Sequence, residues 1–310
     1  MDALPRRPRP VGLGRLFDWR LVHEVSPQRS PPQAVSAAAV DLVAKGLDPV
    51  LAHVSDKTLT MSFGQIAAFR IDFGSKTVTL AEMHPDVDQA TIDHLVDDHV
   101  APRVVSAHDL LVLHGSAVEI AGKLAVFIGQ TGAGKSTLAA SLYAEGHKLL
   151  GDDAVVIDQT NGLLTGEAVY PSLRLFRDSI ERVFREEVGS SAMAFYSTKR
   201  NVAADKLDSA AMRAVPLAAI YILSRGDARV TLNRRSPADA CMALVENSFA
   251  LDPQDARAAV SRTARAAQVA AQVPCYELAY PHDFAGLSRV HAAILACMEQ
   301  HPGEALLSRP

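Results

Sequence analysis

The rhythm of apolar and polar positions changes near residue 109. Before it, from about Pro49 to Met83, short runs of β-type residues dominate. Ala68–Phe73 (AFRIDF) alternates in part, and Thr77–Leu80 (TVTL) follows a Gly74-Ser75-Lys76 turn, which predicts a hairpin. Next, Ile92, Leu95 and Val96 fall on one face of a helix and Asp93, Asp97 and Asp98 on the other. After residue 109 the runs become continuously apolar: Leu110–Leu113, then Ala117–Ile120 and Leu124–Ile128 about a turn at Ala121-Gly122-Lys123. A helical pattern from Ser136 to about Glu145 stops at Gly146, a natural C-cap. Lys148–Leu150 and Ala154–Ile157 flank two aspartates, and Leu217–Leu223 reads as a buried strand. Ser236-Pro237 opens a helix reaching Glu246, because Ser at N-cap and Pro at N1 favour a start. Ala256–Ala271 and Phe284–Met298 read as helices separated by strand-like Cys275–Leu278.

These elements divide the chain into a tail (1–34), a small β-rich α+β region (35–105) and an α/β main domain (106–310). The tail begins basic and proline-rich, with Arg6, Arg7 and Arg9 among Pro5, Pro8 and Pro10, and reads as mobile or as a docking arm through Leu16, Phe17 and Trp19. No apolar core follows those arginines, so they do not form a secretory signal. Against 35 acidic residues, 31 Lys and Arg leave a formal charge of −4, too balanced for gripping nucleic acid. The longest apolar runs, such as Val215–Leu223, fall well short of the ~20 residues of a membrane span. Cys241, Cys275 and Cys297 are widely spaced and odd in number, which suits buried thiols in a reducing, cytoplasmic setting.

Gly129-Gln130-Thr131-Gly132-Ala133-Gly134-Lys135-Ser136 matches G-x-x-x-x-G-K-[ST], the phosphate-binding loop. Its glycines let the backbone curl so that successive N–H groups face phosphate oxygens. The helix beginning at Ser136-Thr137 adds its own N–H groups and dipole. In this pattern Lys135 reaches the β- and γ-phosphates of ATP and the Ser136 hydroxyl is a ligand of Mg²⁺. A strand before the loop and a helix after it supply the required context.

Asp152 and Asp153 follow the next short strand. A strand–helix–strand unit runs that strand parallel to Leu124–Ile128 and delivers both carboxylates to the sheet edge where the loop lies. One carboxylate there can hold Mg²⁺ and the other can accept a proton from an attacking hydroxyl. His114, in Leu113-His114-Gly115-Ser116, ends an apolar run and by itself reads as a structural histidine. His84, His94 and His99 do not complete a metal-ligand set with the aspartates nearby; a solvated acidic face explains them.

Leu113–Ile157 resembles the catalytic core of the HPr serine kinase/phosphorylase family and its compact kinase-like relatives. The order is His-Gly, hairpin, phosphate loop and Gly-His-x-Leu-x-x-Asp-Asp. The resemblance implies a P-loop kinase core of the HPr-kinase/PEP-carboxykinase type, with ATP and Mg²⁺ as cofactors. It makes Asp152 the general base, Asp153 a residue near the metal and His114 an active-site histidine. Pro171–Leu175 and Lys199-Arg200 resemble further segments of the kinase-like relatives, making Arg174, Lys199 and Arg200 phosphate or acceptor contacts. The bifunctional enzymes carry an Arg-Gly-x-Gly run that this chain lacks, so the resemblance is to a compact kinase-like relative rather than to the full bifunctional enzyme. The acceptor would be a hydroxyl of a protein, peptide or small molecule, and relatives often form oligomers. Two other classes fit the same motifs: an ATP-gated binding protein without transfer, and a metabolic enzyme of the phosphoenolpyruvate carboxykinase kind.

Overall fold

The computed structural model describes residues 19–23, 49–160, 162–202, 213–226 and 229–300. Most of the tail, including Leu16, Phe17 and the early arginines, lies outside the described residues. Two compact units divide the chain, one of residues 1–100 with Met193–Ser197, the other of 101–192 with 198–310.

The first unit is built on a five-stranded sheet of β1 (Arg20–His23), β2 (Val50–Ser55), β3 (Thr58–Phe63), β4 (Ala67–Asp72) and β5 (Thr77–Met83), in the order β1-β5-β4-β3-β2. The β4–β5 hairpin pairs as the alternation predicts. Its turn is closed by Asp72, whose Oδ1 accepts the N–H groups of Gly74 (2.8 Å) and Ser75 (2.9 Å). Leu59, Met61 and Phe63 on β3, and Phe69 and Ile71 on β4, are buried. Trp19 is buried too, its ring edge-on to Phe73 with centroids 5.4 Å apart. Helix α1 (Gln89–Leu95) buries Ile92 and Leu95 and then passes into a π turn at Val96–Val100. Asp98 pairs with His94 at 3.0 Å, and among the described residues no group of three or more ligating side chains could hold a metal.

The second unit opens with α2 (Ala101–Ser106) and contains a nine-stranded sheet. Its strands are β6 (Leu111–Leu113), β7 (Gly115–Ile120), β8 (Lys123–Ile128), β9 (Lys148–Gly151), β10 (Val155–Thr160), β11 (Leu163–Ala168), β15 (Val215–Arg225), β16 (Thr231–Arg234) and β17 (Cys275–Tyr280). The central strand, β15, runs parallel to β8 on one side and to β17 on the other. Alternate residues of β8 feed two separate cores, Ala125 and Phe127 on one face and Leu124, Val126 and Ile128 on the other. Helices α3 (Lys135–Ala144) and α7 (Leu287–Gln300) pack on the first face; α5 (Pro237–Glu246) and α6 (Ala256–Gln272) pack on the second. Burial on both faces explains why these strands read as unbroken apolar runs. Strands β12 (Arg174–Leu175), β13 (Ser190–Ala192) and β14 (Arg200–Val202) form a small third sheet, with α4 (Arg177–Val183) inserted after β12.

The strand after the loop helix, β9, runs in the same direction as β8 but is not its neighbour. β7 lies between them, antiparallel to both. Cys275 and Cys297 are buried as expected, whereas Cys241 is only half-buried at the margin of the α5 core face. Among the described residues no helix is long and apolar enough to cross a membrane.

Candidate active site

The insertion of β7 brings three motifs to one sheet edge. The start of β7 pairs with the end of β8 (Gly115 with Ile128), and Ala117 pairs with Gly151 at the end of β9. His114 and Ser116, the Gly-rich loop, and Asp152–Asp153 therefore share an edge. Gly115 is required by closeness: a Cβ there would lie 2.5 Å from the Phe127 carbonyl oxygen.

The loop joins β8 directly to α3, with Gly134 as its N-cap at φ 88°. Gln130, Thr131 and Gly132 are exposed, and Ala133, Gly134, Ser136 and Thr137 are partly buried. Lys135 is buried and its Nζ folds back on the loop, donating to the carbonyl oxygens of Gly129 (2.8 Å) and Gln130 (3.2 Å). Burial pulls its pKa below the ordinary lysine value, while the charges of Asp153 and Asp152 pull the other way. Thr137 Oγ1 lies 3.5 Å from Ser179 Oγ on α4.

Asp152 is fully buried, and both of its oxygens accept hydrogen bonds, Oδ1 from Ser116 Oγ (2.6 Å) and Oδ2 from the Arg174 backbone N–H (3.3 Å). Asp153 has φ 71°, and Ala154 N–H reaches across it to the Asp152 carbonyl (3.0 Å). Such a three-residue turn about a non-glycine residue is strained, and strain of this kind collects at functional sites. It directs the Asp153 carbonyl oxygen to His114 Nδ1 at 3.1 Å. Because a carbonyl only accepts, Nδ1 carries the ring proton and Nε2 is left as an acceptor. Burial, reinforced by the positive charge of Lys135, pushes the His114 pKa down to about 3, so the ring is neutral at physiological pH. Burial and the Asp152 charge push Asp153 up to about 7, against the opposing pull of Lys199 and Lys135.

Arg174, read in the sequence as a phosphate contact, bridges the aspartates. Its Nη1 donates to Asp153 Oδ2 (3.3 Å) and Tyr170 Oη (3.2 Å), and its Nε to Asn201 Oδ1 (3.1 Å). Lys199 sits with its Nζ 5.7 Å from the Phe176 ring centroid, close enough for its charge to act on Asp153 and His114. Arg200 is turned elsewhere: Nε donates to Ser190 Oγ (2.8 Å) and Nη2 to the Ser190 carbonyl (2.7 Å). Ser116, Tyr170 and Asn201 complete the cluster without a sequence signal of their own.

Residues 107–176 match the family described as HPr Serine kinase C-terminal domain. That segment is similar to this family, and the match covers less than a quarter of the chain. The matched segment contains His114, the whole loop, both aspartates and Arg174, and leaves out Lys199 and Arg200. Similar curated proteins include the HPr kinase/phosphorylase of Chlorobium phaeobacteroides, 28% identical over 127 residues, covering 35% of this chain and 36% of that protein. Another is that of Clostridium acetobutylicum, 35% identical over 79 residues, covering 26% of this chain and 24% of that one. The chain thus spans about a third or less of the length of these relatives. Among solved structures, the Hpr(Ser) kinase/phosphatase from Coxiella burnetii is 13% identical with a TM-score of 0.31, covering 60% of this chain and 98% of that one. At that score the fold rests on the strand order of this chain alone.

Proposed function

We propose that this protein is a phosphotransferase that moves the γ-phosphoryl of ATP to a hydroxyl acceptor. The observation that carries this reading is the meeting, at one sheet edge, of the Gly-rich loop and Lys135 with Asp152, Asp153 and neutral His114. The loop amides and the start of α3 would bind phosphate, with Gln130 to Thr137 forming the cradle. Lys135 would leave the Gly129 and Gln130 carbonyls for the β- and γ-phosphates, its lowered hydration making that exchange less costly.

The residues present fit Mg²⁺. Ser136 and Asp153 offer hard oxygen donors, and two protein ligands are what such an ion uses when phosphate oxygens and water supply the rest. When bound, the ion neutralises charge building on the phosphates. Asp152 would accept the acceptor's proton, in place of the one now shared from Ser116. His114 would orient the turn at Asp153 through Nδ1 and present Nε2 as an acceptor. Arg174 would fix both aspartates, Asp152 through its backbone N–H and Asp153 through Nη1, and the Lys199 charge would act on Asp153 and His114. Catalysis of this type is chiefly positioning and charge neutralisation. The relatives are HPr kinase/phosphorylases, so the serine of an HPr-like carrier is the first acceptor to test.

The test incubates γ-labelled ATP and Mg²⁺ with the protein, alone and with fractionated extract or an HPr-type carrier, beside Lys135→Ala and Asp152→Asn. Label on an acceptor with the wild-type protein and with neither variant supports the reading. One observation favours a nucleotide-gated binding protein instead: both Asp152 oxygens already accept hydrogen bonds. Tight Mg-ATP binding with no labelled product across acceptors would select that alternative.

A further inference from the structure

Residue Asn247 caps the C-terminal end of α5, outside the segment that matches the family, yet it reaches two of the motifs at the site edge. Its backbone carbonyl accepts the His114 N–H at 2.7 Å. Its side-chain Oδ1 accepts the N–H of Gly129, the first residue of the loop, at 3.1 Å. Its Nδ2 donates to the Ala243 carbonyl at 2.8 Å, which fixes the orientation of the amide on the helix end. The next residues extend the bracket: Ser248 forms a bridge with Leu113, and Phe249 N–H donates to the Val112 carbonyl at 2.8 Å. The Phe249 ring stands edge-on to His114 with centroids 5.8 Å apart.

Gly129 is consequently held from both sides. Asn247 takes its N–H while Lys135 Nζ takes its carbonyl. If Lys135 turns to bound phosphate, the Lys135 bond is lost and the Asn247 bond remains. We propose that Asn247 is a positioning residue for nucleotide binding: it fixes the first amide of the Gly-rich loop and the backbone of His114 relative to one rigid helix end, keeping the loop shaped for phosphate when Lys135 leaves Gly129. The inference rests on the phosphotransferase reading for its purpose. Its physical content, the tether on Gly129, does not.

Amide hydrogen exchange over the peptide spanning residues 128–132 tests the tether in the intact protein, and equilibrium Mg-ATP binding tests its consequence. Asn247→Ala removes the acceptor. Asn247→Asp keeps an acceptor oxygen for Gly129 and removes the donor to Ala243. Ser248→Ala removes a neighbouring bond, from Ser248 Oγ to the Val245 carbonyl (2.7 Å), without touching Gly129, and controls for general loosening of the helix end. The expected result is roughly tenfold faster exchange in Asn247→Ala, protection restored in Asn247→Asp, no change in Ser248→Ala, and Mg-ATP affinity several-fold weaker in Asn247→Ala. Unchanged exchange in Asn247→Ala, or equal acceleration in Ser248→Ala, overturns the tether. Faster exchange with unaltered Mg-ATP affinity overturns the positioning role. Neither readout needs an acceptor, so a wild-type protein that binds Mg-ATP and transfers nothing refutes the phosphotransferase reading while the exchange comparison still decides Asn247.

Discussion

The hydroxyl of Ser116 donates to Asp152 Oδ1 at 2.6 Å, and both residues are completely removed from solvent. A buried carboxylate needs such donors, because leaving a charged acceptor unsatisfied costs more than the bond itself contributes. The bond exists because β7 starts beside the end of β9, so a serine two residues after His114 faces the aspartate that follows Gly151.

Ser116→Ala should therefore destabilise the fold by about 1.5–3 kcal/mol, the usual range for a hydrogen bond to a charged group. Denaturant unfolding at neutral pH measures this. In a cycle with Asp152→Ala, the Ser116 substitution should cost much less once the carboxylate is gone. Additive losses would mean that Ser116 acts by packing rather than through the carboxylate.

Gly134 has φ 88°, and a Cβ there would lie 2.9 Å from Tyr280 Oη. Gly134→Ala thus meets two separate penalties, the left-handed backbone at about 1–2 kcal/mol and contact with the tyrosine hydroxyl. Tyr280→Phe removes the second penalty and leaves the first. The double variant should recover part of the lost stability and part of the lost Mg-ATP affinity. Full recovery would show that the backbone conformation is not limiting; no recovery would show that the hydroxyl moves aside freely.

The loop and its neighbours were legible in the sequence for a physical reason. A strand buried on both faces, glycines where the backbone must curl, and a helix starting at once leave few alternatives over Leu124–Leu142. The aspartates followed because a short strand and a turn are all that fit after Gly146. What could not be read was the partner of each strand. The expectation that β9 parallels β8 holds in direction, but nothing local says that β7 separates them, and that separation is what places Ser116 on Asp152. The burial of Arg174 could not be read either, since the β12–β14 pairing that buries it joins residues far apart in the chain. Asn247 carried only a helix-end signal, because its contacts to Gly129 and His114 are long-range. The division after Val100 also differs from the expected boundary at 105, and Met193–Ser197 joins the first unit through bonds such as Phe195 N–H to Thr91 Oγ1 (3.1 Å).

Lys135 offers a test that separates folding from binding. Its ammonium is buried and its pKa is lowered by that burial, so the charge is a burden on the nucleotide-free fold. Lys135→Met should leave thermal stability without nucleotide equal or higher. The same substitution should weaken Mg-ATP binding by roughly 10–100-fold, as expected for losing a charge-assisted contact of about 1.5–3 kcal/mol. A fall in the stability of the nucleotide-free protein would show that the bonds to Gly129 and Gln130 outweigh the cost of burying the charge.

His114 and Asp153 should give the protein opposing pH dependences that hide each other. The His114 pKa falls from 6.5 to about 3 on folding, so between these values the unfolded chain holds a proton that the folded one does not. Stability from this group is present above about 6.5 and is lost as pH falls through that window. The Asp153 pKa rises from 3.8 to about 7, so between those values the folded chain holds the extra proton and stability is lost as pH rises. Where the windows overlap, from about 4 to 6.5, each slope is at most about 1.4 kcal/mol per pH unit and the two cancel. Wild-type stability should therefore be nearly flat in the overlap. His114→Gln should lose stability with rising pH, and Asp153→Asn should lose it with falling pH. Urea unfolding at half-unit steps from pH 4.5 to 7.5 reads both slopes. If the two variants tilt the same way, one of the two proton assignments is wrong, and an NMR titration of the His114 ring identifies which.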